Sequence, residues 1–173
     1  MVFDSFFEGG NLDCVMRVGE REYDCFMRVD SNTAGHLQWF NFRVRGWKKL
    51  LKYKINICNF QKDKCLFARG MKPYVYSKKM HQHEKTGWRQ EGDNLRFERK
   101  PLTAALAVDF EIRQMYRLSF ELYAHHDDDE MQIAYCIPYT YSRLSEFLQG
   151  LTNRPETKQF LKISKLCNSL GGL

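Results

Sequence analysis

The chain has 173 residues, with 27 Lys plus Arg against 21 Asp plus Glu for a net charge of +6, and it is 43 % hydrophobic and 14 % aromatic. That is material for one domain with a core, or one domain with a small appendage, and it excludes intrinsic disorder as the main state. No apolar run reaches the roughly 18 to 20 residues of a membrane span, and Asp4 and Glu8 stand where a secretory signal would be positive, so a cytoplasmic chain with no membrane partner is expected.

Period-two alternation dominates from residue 23 onward. In residues 23–29, Tyr23, Cys25, Met27 and Val29 alternate with Asp24, Phe26 and Arg28. Residues 37–45 put Phe40, Phe42 and Val44 on one face and Trp39, Asn41, Arg43 and Arg45 on the other, and residues 51–59 set Leu51, Tyr53, Ile55 and Ile57 against Lys52, Lys54, Asn56 and Cys58. Shorter candidates follow at 74–77, 95–99 and 106–112. Two clean ladders come next, one through Tyr116, Leu118, Phe120, Leu122 and Ala124, the other through Met131, Ile133, Tyr135 and Ile137. Turn chemistry separates them at Asp30-Ser31-Asn32, Gly70, Gly87 and Gly92-Asp93-Asn94, and the acidic stretch 125–130 reads as a hairpin tip joining the last two ladders. Seven to nine short strands bounded by turns predict a mainly β, antiparallel β-sandwich.

The period then changes. Leu144, Phe147, Leu148 and Leu151 recur at i, i+3, i+4 and i+7, predicting an amphipathic helix that ends near Gly150, with Thr140 or Ser142 as N-cap. A second short helix is expected to start at Pro155 and to pack Phe160, Leu161 and Leu166. The expected division is therefore a sandwich domain over 1–152, including the first helix, and a helical linker over 153–173.

Three clusters invite chemistry. His81-Gln82-His83-Glu84 contains an H-x-x-E spacing, which with His125 or His126 as third ligand would suit a catalytic zinc. The stretch 77–86 is polar and Lys-rich, however, and reads as a solvated loop. The run His125-His126-Asp127-Asp128-Asp129-Glu130 has the oxygen donors of a hard-cation site but lacks the glycine and the bidentate Glu of a calcium loop, so a solvated turn is the simpler reading. Arg43, Arg45, Lys48, Lys49, Lys52 and Lys54 fall within twelve residues free of acid, with Trp47 and Tyr53 among them, and such a patch attracts polyanions, whether nucleic acid or acidic polypeptide. The six Cys show no ligand spacing and are expected to be reduced thiols, with Cys25 and Cys136 in the core.

Several segments, taken in order, resemble one family. Phe7-Glu8-Gly9-Gly10-Asn11-Leu12, Glu22-Tyr23-Asp24, residues 38–44 (Gln-Trp-Phe-Asn-Phe-Arg-Val), Ile57-Cys58-Asn59-Phe60 with Lys62, Gly70-Met71-Lys72-Pro73, Tyr76-Ser77, Gly87-Trp88 and residues 134–142 (Ala-Tyr-Cys-Ile-Pro-Tyr-Thr-Tyr-Ser) with Leu144 are similar to the N-terminal domain of the cytosolic carboxypeptidases, zinc enzymes that remove glutamates from tubulin. Gly9-Gly10 departs from the family's more frequent Ser-Gly, a change that a turn is expected to accept. The resemblance implies a β-sandwich placed ahead of an α/β catalytic domain, which would carry the zinc motif beyond Leu173. It implies no catalytic residue, metal or cofactor in this chain, zinc in the intact enzyme, and cytoplasmic, microtubule-associated action. Its partners would be the catalytic domain of the same protein and acidic tubulin tails, not nucleic acid. Pro138, Tyr139, Thr140, Tyr141 and Ser142 are then the expected interdomain interface, and Arg43, Arg45, Lys48, Lys49, Lys52 and Lys54 the expected contacts to acidic tails. Two other readings compete: a free-standing sandwich binding acidic tails or anionic surfaces, and a small metalloenzyme using His81 and Glu84.

Overall fold

Alternating apolar side chains build two facing β-sheets in the computed structural model, which describes residues 1–33, 36–100, 115–169 and 172. In chain order the strands are β1 (Val2–Asp4), β2 (Leu12–Arg17), β3 (Glu22–Met27), β4 (Asn41–Arg45), β5 (Lys52–Phe60), β6 (Tyr74–Ser77), β7 (Arg89–Gln90), β8 (Asp93–Lys100), β9 (Met115–Tyr123) and β10 (Glu130–Ala134). One sheet runs β1-β4-β10-β6-β7 and the other β2-β3-β5-β9-β8. The mainly β sandwich read from the sequence is the architecture observed, with ten described strands rather than seven to nine. β1 and β7 are too short to show alternation. β2 is an edge strand with only Leu12 buried, so its sequence shows no two-fold period. The strand expected over 106–112 lies outside the described residues.

Pairing between the described strands is antiparallel with one exception. β3 and β5 run parallel, Tyr23 opposite Ile55 and Cys25 opposite Ile57, because the chain leaves β3, forms β4 in the other sheet and returns. The same logic corrects the acidic hairpin: β9 pairs with β5 and β8, β10 with β4 and β6, so residues 125–130 carry the chain from one sheet to the other.

The predicted inward faces are the core. Phe40, Phe42, Val44, Ile55, Ile57, Leu118, Phe120 and Ile133 are fully buried. Phe40, Phe60, Phe67 and Tyr135 contact one another edge-on or tilted, with centroids 5.2 to 6.3 Å apart. Phe67 comes from a 3-10 turn at Leu66–Arg69 that plugs one end. Asn11 hydrogen-bonds the backbone of both Trp39 and Asn41 through its side chain and so ties the loop before β2 to the entry of β4. Gly9 has φ +78°, a left-handed conformation that a Ser adopts only with strain, so the turn does not accept either residue equally. Cys25 is buried as expected, but Cys136 is exposed because the β10 ladder ends at Ala134.

The polar stretch after β6 is a short helix, not a loop. α1 (Lys78–Glu84) is capped by the Ser77 hydroxyl, which accepts the Met80 N–H, and it buries only Met80, leaving no apolar period to read. By its contacts the chain divides into a sandwich unit, Met1–Pro138, and a second unit, Tyr139–Leu173. The second holds α2 (Tyr141–Thr152), capped by Thr140, and α3 (Pro155–Lys158), with Pro at its first turn as predicted. Phe160 and Leu166 were expected to pack and are instead 72 % and 97 % exposed.

Candidate functional site

The six cations of the basic stretch do not form one patch. Arg43 and Arg45 project from β4 in one sheet and Lys52 and Lys54 from β5 in the other, with Lys48 and Lys49 in the turn between. Five of them have carboxylate partners: Arg43 with Asp4 (2.8 Å), Arg45 with Glu130 (2.6 Å), Lys48 with Asp128 (3.8 Å), Lys52 with Glu121 (2.8 Å) and Lys54 with Glu22 (2.8 Å). Among the described residues the Lys49 ammonium is the one of the six cationic groups with no carboxylate partner. The acids were invisible in the stretch itself because each is supplied by another strand or turn. The hydrogen bond from Lys54, then that from Asn56, holds Glu22 below the ordinary carboxylate value. Lys52, then Asn94, does the same to Glu121, and Lys52 is raised in return.

The aromatic part of that patch is internal. Trp47 is fully buried, donates its indole N–H to the Val44 carbonyl at 2.9 Å and meets Tyr53 edge-on at 4.9 Å. The Tyr53 hydroxyl accepts the Lys48 N–H. Neither ring offers a face on which a base could stack, which removes the feature that made a nucleic-acid reading attractive. The rings that do face these cations come from elsewhere: Phe7, 4.3 Å from the Arg43 guanidinium, and Tyr123, 5.1 Å from the Lys52 ammonium.

The acidic turn is structural. Asp129, buried, accepts hydrogen bonds from the Ser77 hydroxyl and the Lys79 N–H, so it anchors the start of α1. Asp127 accepts the Lys49 N–H at 2.8 Å, and the Asp128 N–H donates to the Trp47 carbonyl at 2.7 Å, clasping this turn to the one between β4 and β5. Sequence reasoning missed Asp129 and Ser77. The available signal was Ser three residues before Met80, an N-cap spacing that could have pointed to the helix but not to its distant acid.

The H-x-x-E pair gathers no third ligand among the described residues. His81 and Glu84 lie on α1, where His81 Nδ1 is 3.1 Å from the Thr86 carbonyl and the ring meets Tyr76 tilted, with centroids 5.4 Å apart. His126 sits beside His83, not His81, with centroids 5.4 Å apart, and His125 is exposed. Among the described residues no three His, Cys, Asp or Glu side chains stand together as a metal site. No helix among them is long and apolar enough to cross a membrane. A groove of about 570 Å³ between the edges of β1 and β2, lined by Phe3, Phe6, Leu12 and Tyr23, contains none of the expected site residues.

Pro138 closes the sandwich unit. The remaining residues of the expected interface open the second, where Tyr139 and Tyr141 are 60 % and 54 % exposed. Thr140 accepts the Arg143 N–H at 3.3 Å, and the Arg143 guanidinium lies 5.7 Å from the Tyr139 ring.

Comparison with known proteins places this geometry. The profile of the cytosolic carboxypeptidase N-terminal domain matches residues 3–110. Cytosolic carboxypeptidase 3 of Mus musculus is 35 % identical over 170 residues, which are 98 % of this chain and 16 % of the relative. Cytosolic carboxypeptidase 2 of Mus musculus is 38 % identical over 172 residues, 99 % of this chain and 19 % of the relative. The chain thus spans less than a fifth of either. Among solved structures, a metallo-carboxypeptidase from Burkholderia cenocepacia shares the fold with a TM-score of 0.62 at 15 % identity, over 99 % of this chain and 37 % of that one.

Proposed function

The chain belongs to the cytosolic carboxypeptidase N-terminal domain family, and from that premise we propose that it is the non-catalytic sandwich of a zinc carboxypeptidase that removes glutamates from tubulin or similar acidic tails. The sandwich supports the folding of a catalytic domain in the same protein and contributes to substrate recognition. The observation that carries this reading is the family match over residues 3–110, together with relatives 35 % and 38 % identical over nearly the whole chain. On this reading the chemistry and its zinc belong to another part of the protein.

Substrate contact is narrower than the charge count suggests. A glutamate tail arriving at Arg43, Arg45, Lys48, Lys52 or Lys54 competes with a carboxylate already in place, and surface pairs of this kind are individually weak. The tail therefore exchanges one carboxylate for another there, while Lys49 offers an uncommitted ammonium. The segment 138–142 meets the catalytic domain through Tyr139 and Tyr141, whose rings combine apolar area with a polar tip.

The test is a chimera in which this chain replaces the matching residues of mouse cytosolic carboxypeptidase 2. It should bind zinc, which the 173-residue chain should not, and release glutamate from a glutamate-tailed peptide. Lys49→Ser should lower kcat/KM roughly twofold at low salt and have no effect at high salt, since long-range steering is screened. Full activity after deletion of the sandwich would sink the proposal.

A further inference from the structure

In β5 and β9 the core-facing Ile55, Ile57, Leu118 and Phe120 alternate with Lys54, Asn56, Arg117, Ser119 and Glu121, which make the other face of the sheet polar. Pairing extends that face onto β8: Ser119 lies between Asn56 and Arg96, and Arg117 lies opposite Glu98. A cavity of about 330 Å³ opens there, lined by Lys54, Arg96, Glu98, Arg117, Ser119 and Glu121. Ser119 is buried although it belongs to the outer face, which gives the cavity a polar floor.

Most of these groups find partners within the sheet. Lys54 meets Glu22 and Lys52 meets Glu121, each at 2.8 Å, and Arg117 donates to Glu98 at 2.7 Å through one terminal nitrogen. Donors are left over at the cavity all the same. Among the described residues, the Arg117 Nε–H and the Ser119 hydroxyl are buried with no hydrogen-bond partner, and the Arg96 guanidinium has no carboxylate partner. Buried polar groups are hydrogen-bonded in the great majority of cases, so unpartnered donors around one cavity mark a ligand that supplies acceptors. Water can serve a hydroxyl, but two guanidinium groups favour a negative oxygen, because charge-assisted hydrogen bonds are roughly twice as strong as neutral ones. Asn56 Oδ1 is also unpartnered, but it does not line the cavity.

We infer that this cavity is a carboxylate-binding site that takes a glutamate side chain of an acidic peptide against Arg96, Arg117 and Ser119. Its lining carries three cations, Lys54, Arg96 and Arg117, and two carboxylates, Glu98 and Glu121. That excess of one matches a singly charged carboxylate better than a doubly charged phosphate. The carboxylate chemistry follows from the donors. The peptide as its source rests on the carboxypeptidase reading and deepens it, by giving substrate recognition a pocket on β8 and β9 rather than the turn that carries Lys49.

Titration of the 173-residue chain with glutarate, with a tetraglutamate peptide and with inorganic phosphate tests this, followed by the NMR signals of the Arg117 Nε–H and the Ser119 amide. Glutarate and the peptide should both move these signals, and phosphate should bind more weakly than either. Arg96→Gln and Ser119→Ala should each weaken binding about tenfold, the effect of one hydrogen bond to a charged group. Ser119→Ala should also leave the melting temperature where it is, because a hydroxyl with no partner in the fold holds nothing in place. A lowered melting temperature with unchanged glutarate binding would assign that hydroxyl to the fold and overturn the inference. So would phosphate binding more tightly than the carboxylates, a peptide footprint confined to the Lys49 turn, or a site that admits glutarate and excludes the peptide. An active chimera built on a chain that shows none of these shifts would refute this inference and leave the functional reading standing; an inactive chimera built on a chain that binds glutarate and the peptide would do the reverse.

Discussion

Asp129 ends a run of three Asp, and it alone of them is buried. Its two acceptor oxygens hold the Ser77 hydroxyl and the Lys79 N–H, and Ser77 in turn caps α1, so one side chain joins the β9–β10 connection to a helix fifty residues earlier. Hydrogen bonds to a charged group contribute about 1.5 to 3 kcal/mol, and removing the acceptor leaves its donors unpaired. Asp129→Ala should therefore cost about 3 kcal/mol in urea unfolding, whereas Asp128→Ala, which loses an exposed pair at 3.8 Å, should cost less than about 1 kcal/mol. Equal costs would show that burial does not distinguish the two. Thiol reactivity is set residue by residue in the same way. Cys14, Cys136 and Cys167 are exposed, while burial pushes Cys58 up to about 12 and raises Cys25 well above its ordinary value. A disulfide reagent at mildly alkaline pH should label Cys136 and Cys167 fast, Cys14 more slowly because partial burial and then Asp13 raise it, and Cys25 and Cys58 only on unfolding, because the thiolate is the reactive form; Cys65 is kept from the reagent by its burial.

Element by element, what the sequence revealed depended on how much of each segment faces the core. β9 and β10 were readable because their large apolar residues alternate with polar ones, and α2 because its apolar stripe keeps helical spacing although none of its residues is fully buried. α1 was not, since one buried Met80 makes no period. Alternation also says nothing about which strand is the neighbour, so two adjacent ladders looked like a hairpin although they belong to different sheets. The basic stretch misled for the same reason: its countercharges arrive through pairing. Asn59 is another feature outside the reach of pattern. Where the β5 register shifts between Ile57 and Phe60, its amide takes over the hydrogen bonding of Met27, accepting the N–H at 3.0 Å and donating to the carbonyl at 2.7 Å. Asn59→Ala should destabilise the sandwich by about 2 kcal/mol and speed exchange of the Met27 amide. An unchanged Met27 exchange rate would mean that β3 ends independently of this side chain.

For the whole molecule, the cross-strand ion pairs link stability to pH. Glu22 and Glu121 are held below the ordinary carboxylate value by Lys54 and Lys52. A carboxylate with a depressed pKa in the folded state stabilises that state fully above its unfolded value near 4.3, and the contribution is lost as pH falls through the folded pKa. Both pairs lie on the same sheet, Lys54 opposite Glu121 and Glu22 opposite Lys54, so protonation of either Glu removes a countercharge from Lys52 and Lys54, which are neighbours two residues apart along β5. Acid also leaves 27 Lys and Arg unopposed in a chain that is already at +6, and self-repulsion then acts against the compact state. The melting temperature should therefore hold steady from neutral pH down to about 4.5 and fall below it, less steeply in high salt. Glu121→Gln should lower the neutral-pH plateau slightly and flatten the acid limb, because the variant has already lost the contribution that acid removes. A wild-type acid limb of unchanged slope in the variant would assign the acid sensitivity to overall charge rather than to this strand pairing.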